Sequence, residues 1–400
     1  MKTKLIVAGL FLVSLLLAGC SGNQAPTATV AQPGATPTIA EAVSTLTNDV
    51  ADTTASPTEE TMTETAASPT AESATTEAAS SAQDATPDIV AAANDFLATL
   101  SDTEQDAVLF DWTDTAQKQR WSNLPEGLFE RDGLMWGNLS ETQQSAWLAV
   151  MQATLSTEGY NQVITEWNAD EALATQEGGG GPGGGQLQFG KQYYWIALIG
   201  TPSETAPWQW QWGGHHVTVN ATIVGPHISL TPSFIGVQPA TYTDADGNTV
   251  RPLGDIDDEA FALVNSLDAK QQQTAVLGSS SIDLVLGPGQ DGKTIQPEGL
   301  PAAQMTADQQ ATLLQLISHY VGLVNDEDAA ARLAEIEATL DQTTFAWYGS
   351  TTQGESAYFR VIGPTLVIEY ASQQMGGDPA NHIHGIYRDL TNDYGAKYTP

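Results

Sequence analysis

The spacing of apolar and polar positions predicts strands in some stretches of the chain and helices in others. Trp208, Trp210 and Trp212 are separated by single glutamines, which is the period-two pattern of a strand with one buried face. Patterns of the same kind predict further strands over residues 193–199, 216–221, 358–362, 366–370 and 382–388. The chain therefore contains at least two antiparallel β segments.

Four other stretches carry a helix-start signal. Each begins with a capping residue, has Glu or Gln three positions later, and continues into an apolar run at helical spacing. In this capping box the two side chains satisfy each other's free backbone amides. The four capping residues are Ser101, Ser140, Asp268 and Thr306.

Similar residues recur at a nearly constant spacing of 165 to 167 positions, which indicates an internal duplication. The matched pairs are Ser101 with Asp268, Ser140 with Thr306, Tyr193 with Tyr358, and His216 with His382. We predict an α+β fold in which two copies of a helix pair plus an antiparallel β unit form one compact domain. The halves would cover about 87–255 and 256–400, and the helix pairs would cover a central β region.

The first 20 residues have the features of a lipoprotein signal peptide. Lys2 and Lys4 precede an apolar run over residues 5–17, and a lipoprotein cleavage pattern ends at Cys20. Because Cys20 is the only cysteine, we expect it to be the lipid attachment point, and we expect no disulfide or thiolate metal site. The alternative is an ordinary secretory signal.

Residues 21–86 are rich in Ser, Thr, Ala, Pro and Glu and contain no Lys or Arg. Such a composition predicts a disordered acidic tether between the membrane and a domain over residues 87–400.

The whole chain has 48 acidic and 13 basic residues and a formal net charge of −35, which argues against nucleic acid as a partner. We therefore predict a lipid-anchored protein on the extracytoplasmic face of the cell envelope.

Histidines in two short motifs carry the candidate chemistry. Four of the six histidines are His215, His216, His382 and His384, and each pair follows a glycine pair. Residues two apart on a strand share a face, so His382 and His384 point the same way, as do His216 and Asn220. If equivalent strands of the two halves meet, His216, His382 and His384 would bind one divalent metal ion: zinc, iron, manganese or copper.

Charged residues near these motifs complete the predicted site. Glu369 lies on an otherwise apolar strand, where a carboxylate is costly unless it is paired or bound to metal, so it is a candidate ligand or base. Arg388 would orient an anionic group of the substrate. His215, Asn220, Asp389 and Asp393 are further pocket candidates. In the alternative interpretation the histidines are hydrogen-bonding core residues beside a buried pair of Glu369 with Arg388 or Arg360.

Other patterns limit the choice of function. The tryptophan stripe at 208–212 is typical of a core, although it would also suit a stacking platform for a sugar or an aromatic ligand. The chain lacks a Gly-x-Ser-x-Gly elbow and a His-Glu-x-x-His helix, so the common serine hydrolases and zinc peptidases are unsupported.

The motifs 210–216, 231–236 and 381–389 resemble the bacterial family named domain of unknown function 3500, over roughly residues 90–400. The resemblance implies one domain on an exported protein and supplies no substrate or mechanism. We predict a metal-dependent enzyme, hydrolytic or oxidative, that acts on a small molecule. The alternatives are a surface protein that binds a small ligand without catalysis and a metal-carrying protein.

Overall fold

The computed structural model describes residues 84–176, 187–374 and 377–399 of the 400-residue chain. The predicted signal peptide, Cys20 and nearly all of the predicted tether lie outside the described residues. Within those ranges no helix combines the length and the apolar character that crossing a bilayer requires.

Nine α-helices lie in the described part of the chain. In chain order they are α1 (Thr86–Ala98), α2 (Asp102–Val108), α3 (Thr115–Lys118), α4 (Glu141–Thr154), α5 (Thr157–Gln176), α6 (Gly254–Ser266), α7 (Ala269–Ala275), α8 (Ala307–Val321) and α9 (Asp326–Glu337). All four predicted capping boxes are present, at the starts of α2, α4, α7 and α8. The helix starts are therefore confirmed.

Strands form a large mixed sheet and one small hairpin. They are β1 (Leu109–Phe110), β2 (Leu134–Met135), β3 (Trp195–Ile199), β4 (Trp208–Gly213), β5 (Thr218–Val224), β6 (His227–Ser229), β7 (Ser233–Val237), β8 (Tyr242–Thr243), β9 (Thr249–Val250), β10 (Val276–Gly278), β11 (Leu300–Pro301), β12 (Thr344–Gly349), β13 (Ala357–Gly363), β14 (Leu366–Ser372) and β15 (Ile383–Arg388). Strands β8 and β9 pair only with each other, and the other thirteen belong to one sheet.

The order of strands along the main path of the large sheet is symmetric about the central β7–β15 pair. It runs β1-β3-β4-β5-β7-β15-β14-β13-β12-β10, with β2 against β3 and β11 against β12. The two edge pairs are parallel, and the pairs between them are antiparallel. The fold is therefore α+β, as predicted, with two series of elements that meet at the β7–β15 pair.

Most elements of the two series correspond, at two different spacings, whereas α3, β6, β8 and β9 have no counterpart in the second series. Strands β2 and β11 begin 166 positions apart, at 134 and 300, whereas β4 and β13 begin 149 positions apart, at 208 and 357. The spacing shrinks because α5 and its connection to β3 are longer than α9 and its connection to β12. The common origin of the two halves stays a prediction.

This change of spacing overturns two of the matched pairs. His216 lies between β4 and β5, whose counterparts are β13 and β14, whereas His382 directly precedes β15, the counterpart of β7. Tyr193 precedes β3, while Tyr358 lies in β13, the counterpart of β4. The prediction that His216 and His382 come from equivalent strands is therefore wrong.

One face of the sheet packs against the helices and forms the main core. Trp210 meets Trp147 of α4 edge to face at 5.6 Å, and Trp212 meets Trp167 of α5 in the same way at 5.0 Å. All three tryptophans of the β4 stripe have no exposed surface. The core interpretation of that stripe is confirmed, because such aromatic contacts add to the large apolar area that each ring buries.

The opposite face is covered by two irregular segments, which we call the first cover segment (residues 111–133) and the second cover segment (residues 279–299). Trp121 of the first and Leu284 of the second pack against Phe234 of β7 and Ile386 of β15. The two segments thus approach each other across the central strand pair, and a pocket lies between them.

Candidate metal centre

Three segments meet at one end of the β7–β15 pair and bring three histidines together. His216 lies in the β4–β5 turn, His382 directly precedes β15, and His384 is the second residue of that strand. His384 pairs across the sheet with Gly236 near the end of β7. The prediction that His215 and His216 belong to a strand is wrong, since both lie in the turn.

A glycine and a strained backbone angle permit this close approach. A Cβ at Gly236 would lie 3.1 Å from the carbonyl oxygen of His216 and 3.0 Å from that of Ile383. His216 has a φ of 73°, in the left-handed region that costs a non-glycine residue about 1–3 kcal/mol. Strain of this kind clusters at functional sites, where the surroundings hold the residue in place.

The Nε2 atoms of the three imidazoles converge on one point. His382 Nε2 lies 2.9 Å from His216 Nε2 and 3.0 Å from His384 Nε2. Each ring nitrogen has a single in-plane direction for one proton or one lone pair, so His382 Nε2 cannot form two well-aligned hydrogen bonds. A metal ion among the three atoms removes the conflict, because all three lone pairs then point at the same cation.

The spacing of the nitrogens fits this interpretation. With Zn–N distances of 2.0–2.1 Å, tetrahedral ligands lie about 3.3 Å apart, and right-angled ligands lie about 2.9 Å apart. The observed Nε2 separations of 2.9 and 3.0 Å are close to these values. Possible ligand atoms of His216, His382 and His384 all lie within 4.8 Å of one another. The cluster could therefore hold a metal ion.

Burial favours the neutral form of these ligands. It lowers the pKa of His216 and of His384 well below the ordinary 6.5, and the neighbouring histidines lower both pKa values further. The neutral imidazole is the form that binds a metal. The Nδ1 atom of His216 is also buried without a hydrogen-bond partner among the described residues.

A second histidine interaction lies beside the cluster. His215 Nδ1 lies 2.6 Å from Asp170 Oδ1, and the other carboxylate oxygen of Asp170 accepts the backbone N–H of Gly190 at 2.9 Å. The rings of His215 and His216 are tilted by 33° relative to each other, with centroids 3.5 Å apart. Asp170, His215 and His216 form a further group of possible metal ligands.

A pocket of about 400 Å³ opens above the histidines between the two cover segments. His215, His382 and His384 line it, together with apolar residues of both cover segments. Asn123 of the first cover segment places its side-chain nitrogen 3.4 Å from Nε2 of His384. A ligand in this pocket would therefore lie directly against the histidine cluster.

These residues fall within a recognised protein family. The family model described as "Protein of unknown function (DUF3500)" matches residues 82–396. The chain belongs to the DUF3500 family. No curated protein and no solved structure matches significantly. The description of DUF3500 assigns no activity, so the function of this domain must be argued from its residues.

Glu369, predicted as a ligand or base, has a different role in the DUF3500 domain. Its carboxylate accepts the backbone N–H groups of Val285 and Leu286, at 2.8 and 2.7 Å, and the hydroxyl of Tyr358 at 2.5 Å. It neither lines the pocket nor belongs to a group of possible metal ligands. The buried carboxylate fixes the second cover segment to the sheet.

Arg388 also contacts the second cover segment and does not line the pocket. Its guanidinium binds Asp291 Oδ1 at 2.6 Å and Asp393 Oδ2 at 2.8 Å. It also donates to the carbonyl of Leu286 at 3.3 Å. The predicted role of Arg388 in orienting an anionic substrate stays a prediction, and these contacts give it no support. Glu369 does not pair with Arg388. Its cross-strand neighbour is buried Arg360, whose pKa is lowered by burial and raised by the charge of Glu369, so the pair of Glu369 with Arg360 stays open.

The remaining pocket candidates lie away from the histidines. Asn220 is buried in β5 and donates to the carbonyl of Pro232 at 2.9 Å. Asp389 pairs with Arg332 at 3.1 Å, at the opposite end of β15, and Asp393 contacts Arg388. None of the three lines the 400 Å³ pocket. Of the additional candidates, only His215 does.

Sequence reasoning missed Asp170 and Asn123. Asp170 lies in α5, 45 positions from its partner His215, and Asn123 lies in an irregular segment, 261 positions from His384. Neither residue stands in a motif with the histidines, and only the packing of α5 and the first cover segment against the sheet brings them close. A single sequence contains no signal for these contacts.

Proposed function

We propose that this protein is a metal-dependent enzyme of the cell envelope, hydrolytic or oxidative, that acts on a small molecule. A divalent ion would be held by Nε2 of His216, His382 and His384, with an open coordination position toward the pocket. Three histidines with an open position are a ligand set typical of catalytic metals.

One observation carries the proposal. A single nitrogen, His382 Nε2, has two other histidine nitrogens within 3.0 Å, and the cluster forms part of the lining of a pocket of about 400 Å³. Structural metal sites are closed by protein ligands, whereas catalytic sites keep a position for water or substrate. The pocket beside the cluster supports the catalytic alternative.

The chemistry would depend on the ion. An ion at this position supplies Lewis-acid polarisation of an oxygen ligand, and copper, iron or manganese would add redox chemistry. The residues of the chain would bind and orient the substrate and keep bulk water away from the cluster. Zinc would favour the hydrolytic activity, and a redox-active ion the oxidative one.

A second candidate is a surface protein that binds a small ligand without catalysis. The apolar lining of the pocket favours it, since such a lining alone is sufficient for binding. This candidate requires no metal, so metal content distinguishes the two.

The test is the metal content of the purified full-length protein, measured by elemental mass spectrometry. We expect about one ion per chain in the wild type. We expect none in a folded His382→Ala, His384→Ala double variant. His227→Ala is the matched control, because His227 is exposed and stacks on Tyr398 away from the cluster. Metal absent from the wild type after reconstitution would overturn the proposal in favour of the binding protein.

We also propose that Cys20 carries a lipid that anchors the protein to the membrane, with the domain on the extracytoplasmic face. The support is the charged start, the apolar run and the single cysteine at the end of the cleavage pattern. Labelled fatty acid should be incorporated into the wild type and not into Cys20→Ser. Equal labelling of both proteins would overturn this proposal.

A further inference from the structure

The walls of the pocket are mainly apolar. Each cover segment contributes apolar side chains, and others come from the ends of α5 and β7 and from residues 187–189. They include Leu124, Leu128, Leu173, Phe189, Phe234 and Leu284. A volume of about 400 Å³ lies within the range of sites for drug-sized molecules, about 300–1,000 Å³. The pocket therefore suits a compact molecule with a large apolar part.

The polar groups of the pocket are mostly uncharged. Asn123, Gln238, Gln290 and Gln373 line it, and no Lys or Arg is among the lining residues that the structure describes. Its one acidic residue, Asp283, accepts the N–H of Leu284 and the side-chain amide of Gln373, at 2.7 and 3.2 Å. A ligand anion would therefore find no cationic side chain to pair with.

Arg131 lies near the pocket but does not line it. One of its terminal guanidinium nitrogens donates to the carbonyl oxygens of Ser122, Leu124 and Gly214, at 2.7, 2.7 and 3.0 Å, and the other lies 3.9 Å from the carboxylate of Glu126. Arg388 binds two carboxylates away from the pocket. The net charge of −35 also repels an approaching anion. The side chains of the metal-free pocket therefore disfavour carboxylate and phosphate ligands.

His215 provides a directed hydrogen-bonding group in this pocket. Its Nδ1 lies 2.6 Å from Asp170 Oδ1, a carboxylate oxygen with almost no exposed surface. Because an ionised carboxylate only accepts, the ring proton belongs on Nδ1, and in the neutral imidazole Nε2 is then an acceptor. His215 lines the pocket, so Nε2 is the nitrogen that it can offer to a ligand.

We propose that the pocket takes an uncharged, mainly apolar small molecule that carries a hydroxyl or N–H group, and that His215 Nε2 accepts its hydrogen bond. This inference rests on the proposed function, because it names the substrate class of the same site. The apolar part of the ligand would lie against the leucines and Phe189, and its polar group would lie beside the histidine cluster.

Four probes with the same phenylbutyl body test the inference. They are 4-phenylbutan-1-ol, its methyl ether, 4-phenylbutylamine and 4-phenylbutanoate. Affinities are measured by titration calorimetry on the full-length protein, in zinc-loaded and metal-free form. In the metal-free form we expect the alcohol to bind about tenfold more tightly than the ether, which lacks the donor, and more tightly than either charged probe. In the zinc-loaded form the ion itself would attract the carboxylate probe.

A matched pair of variants assigns the donor preference to His215. Asp170→Asn removes the carboxylate that fixes the ring, and we expect it to reduce the preference for the alcohol over the ether to less than about threefold. Asp246→Asn makes the same change at an exposed residue that does not line the pocket and should leave the preference unchanged. The probe comparison on the wild type still decides the inference if Asp170→Asn fails to fold.

The outcomes separate this inference from the proposed function. Tighter binding of the carboxylate or the amine than of the alcohol to the metal-free form, or equal binding of alcohol and ether to that form, would overturn the ligand class even in a protein that can be loaded with metal. A preference for the alcohol in a protein that cannot be loaded with metal would support the ligand class and overturn only the metal centre.

Discussion

The two ends of the central β7–β15 pair differ in how their polar side chains are arranged. At one end, His216, His382 and His384 bring three like groups together beside a pocket of about 400 Å³. At the other end, Arg332 of α9 binds Asp389 at 3.1 Å and donates to Tyr387, and the adjacent cavity is only about 50 Å³. The first end gathers three side chains of the same kind around one point, whereas the second pairs complementary charges.

From this difference we expect the charged end to contribute mainly to stability and the histidine end to be suited to binding. Paired, hydrogen-bonded charges in a closed site mainly hold the structure together, because removing one partner leaves the other buried and unpaired. Crowded neutral imidazoles with a strained residue contribute little to stability by themselves and are suited to binding an ion. The following predictions test this contrast, from the largest expected effect to the smallest.

Removing the Arg332–Asp389 ion pair should cause the largest loss of stability. Arg332→Ala leaves buried Asp389 unpaired and should lower the free energy of unfolding by about 3 kcal/mol. Metal content should not change. Urea unfolding measures the first effect, and Arg120→Ala is the control, since the Arg120–Asp132 pair is exposed. A loss no larger than that of the control would contradict the assigned role of Arg332.

Binding of a metal ion to His216, His382 and His384 should stabilise the protein. An ion that binds only the folded state adds about 2.7 kcal/mol at a free concentration of 100 times its dissociation constant. We expect this gain in the metal-free wild type after zinc or the native ion is added. His227→Ala should show the same gain, and His382→Ala, His384→Ala should show none. An equal gain in the double variant would place the ion elsewhere.

Loosening the second cover segment should have a smaller effect that does not involve metal. Glu369→Gln weakens the acceptor of the N–H groups of Val285 and Leu286 and should lower the free energy of unfolding by about 2 kcal/mol. Hydrogen exchange at those two amides should become faster, while metal content stays the same. Loss of metal would instead support the original prediction that Glu369 is a ligand.

Protonation of His384 should destabilise the metal-free protein. The folded pKa of His384 lies below its ordinary 6.5, so the unfolded state binds more protons, and the metal-free protein loses stability as the pH falls below about 6.5. The stability difference between wild type and His384→Gln should shrink by up to about 1.4 kcal/mol per pH unit between pH 6.5 and 5.

Subtracting the stability of His384→Gln from that of the wild type removes the contribution of titratable groups that both proteins share. Burial raises the pKa of Glu166 to about 8, which opposes the trend, since the folded state then binds more protons than the unfolded state between about pH 4.5 and 8. Urea unfolding of both proteins from pH 7.5 to 5 gives the measurement. A difference that does not change with pH would mean that His384 is not held neutral by burial.

The fold class followed from local signals. Capping boxes and period-two apolar patterns report directly on helix starts and buried strand faces, so α2, α4, α7 and α8 and the tryptophans of β4 were predicted correctly. The alignment of the two halves at the histidines failed because one constant spacing was assumed. Local patterns contain no information about a connection whose length differs between the halves.

The site was predictable only in part. The three histidines were found because imidazoles are rare in this chain and stand in pairs. Glu369 and Arg388 were assigned to the site because buried charges require partners, but a sequence does not reveal which partners. Here the partners are backbone amides for Glu369 and carboxylates for Arg388. Asp170 reaches His215 only through the packing of α5.

The position of the ion is the most direct test of the metal centre. X-ray diffraction from crystals of the metal-loaded protein, at wavelengths on either side of the absorption edge of the metal, locates the ion without reference to activity. We predict one anomalous peak, about 2.1 Å from Nε2 of each of His216, His382 and His384. A loaded protein with no peak at these atoms, or with hydrogen-bonded histidines and the ion elsewhere, would contradict the proposed centre.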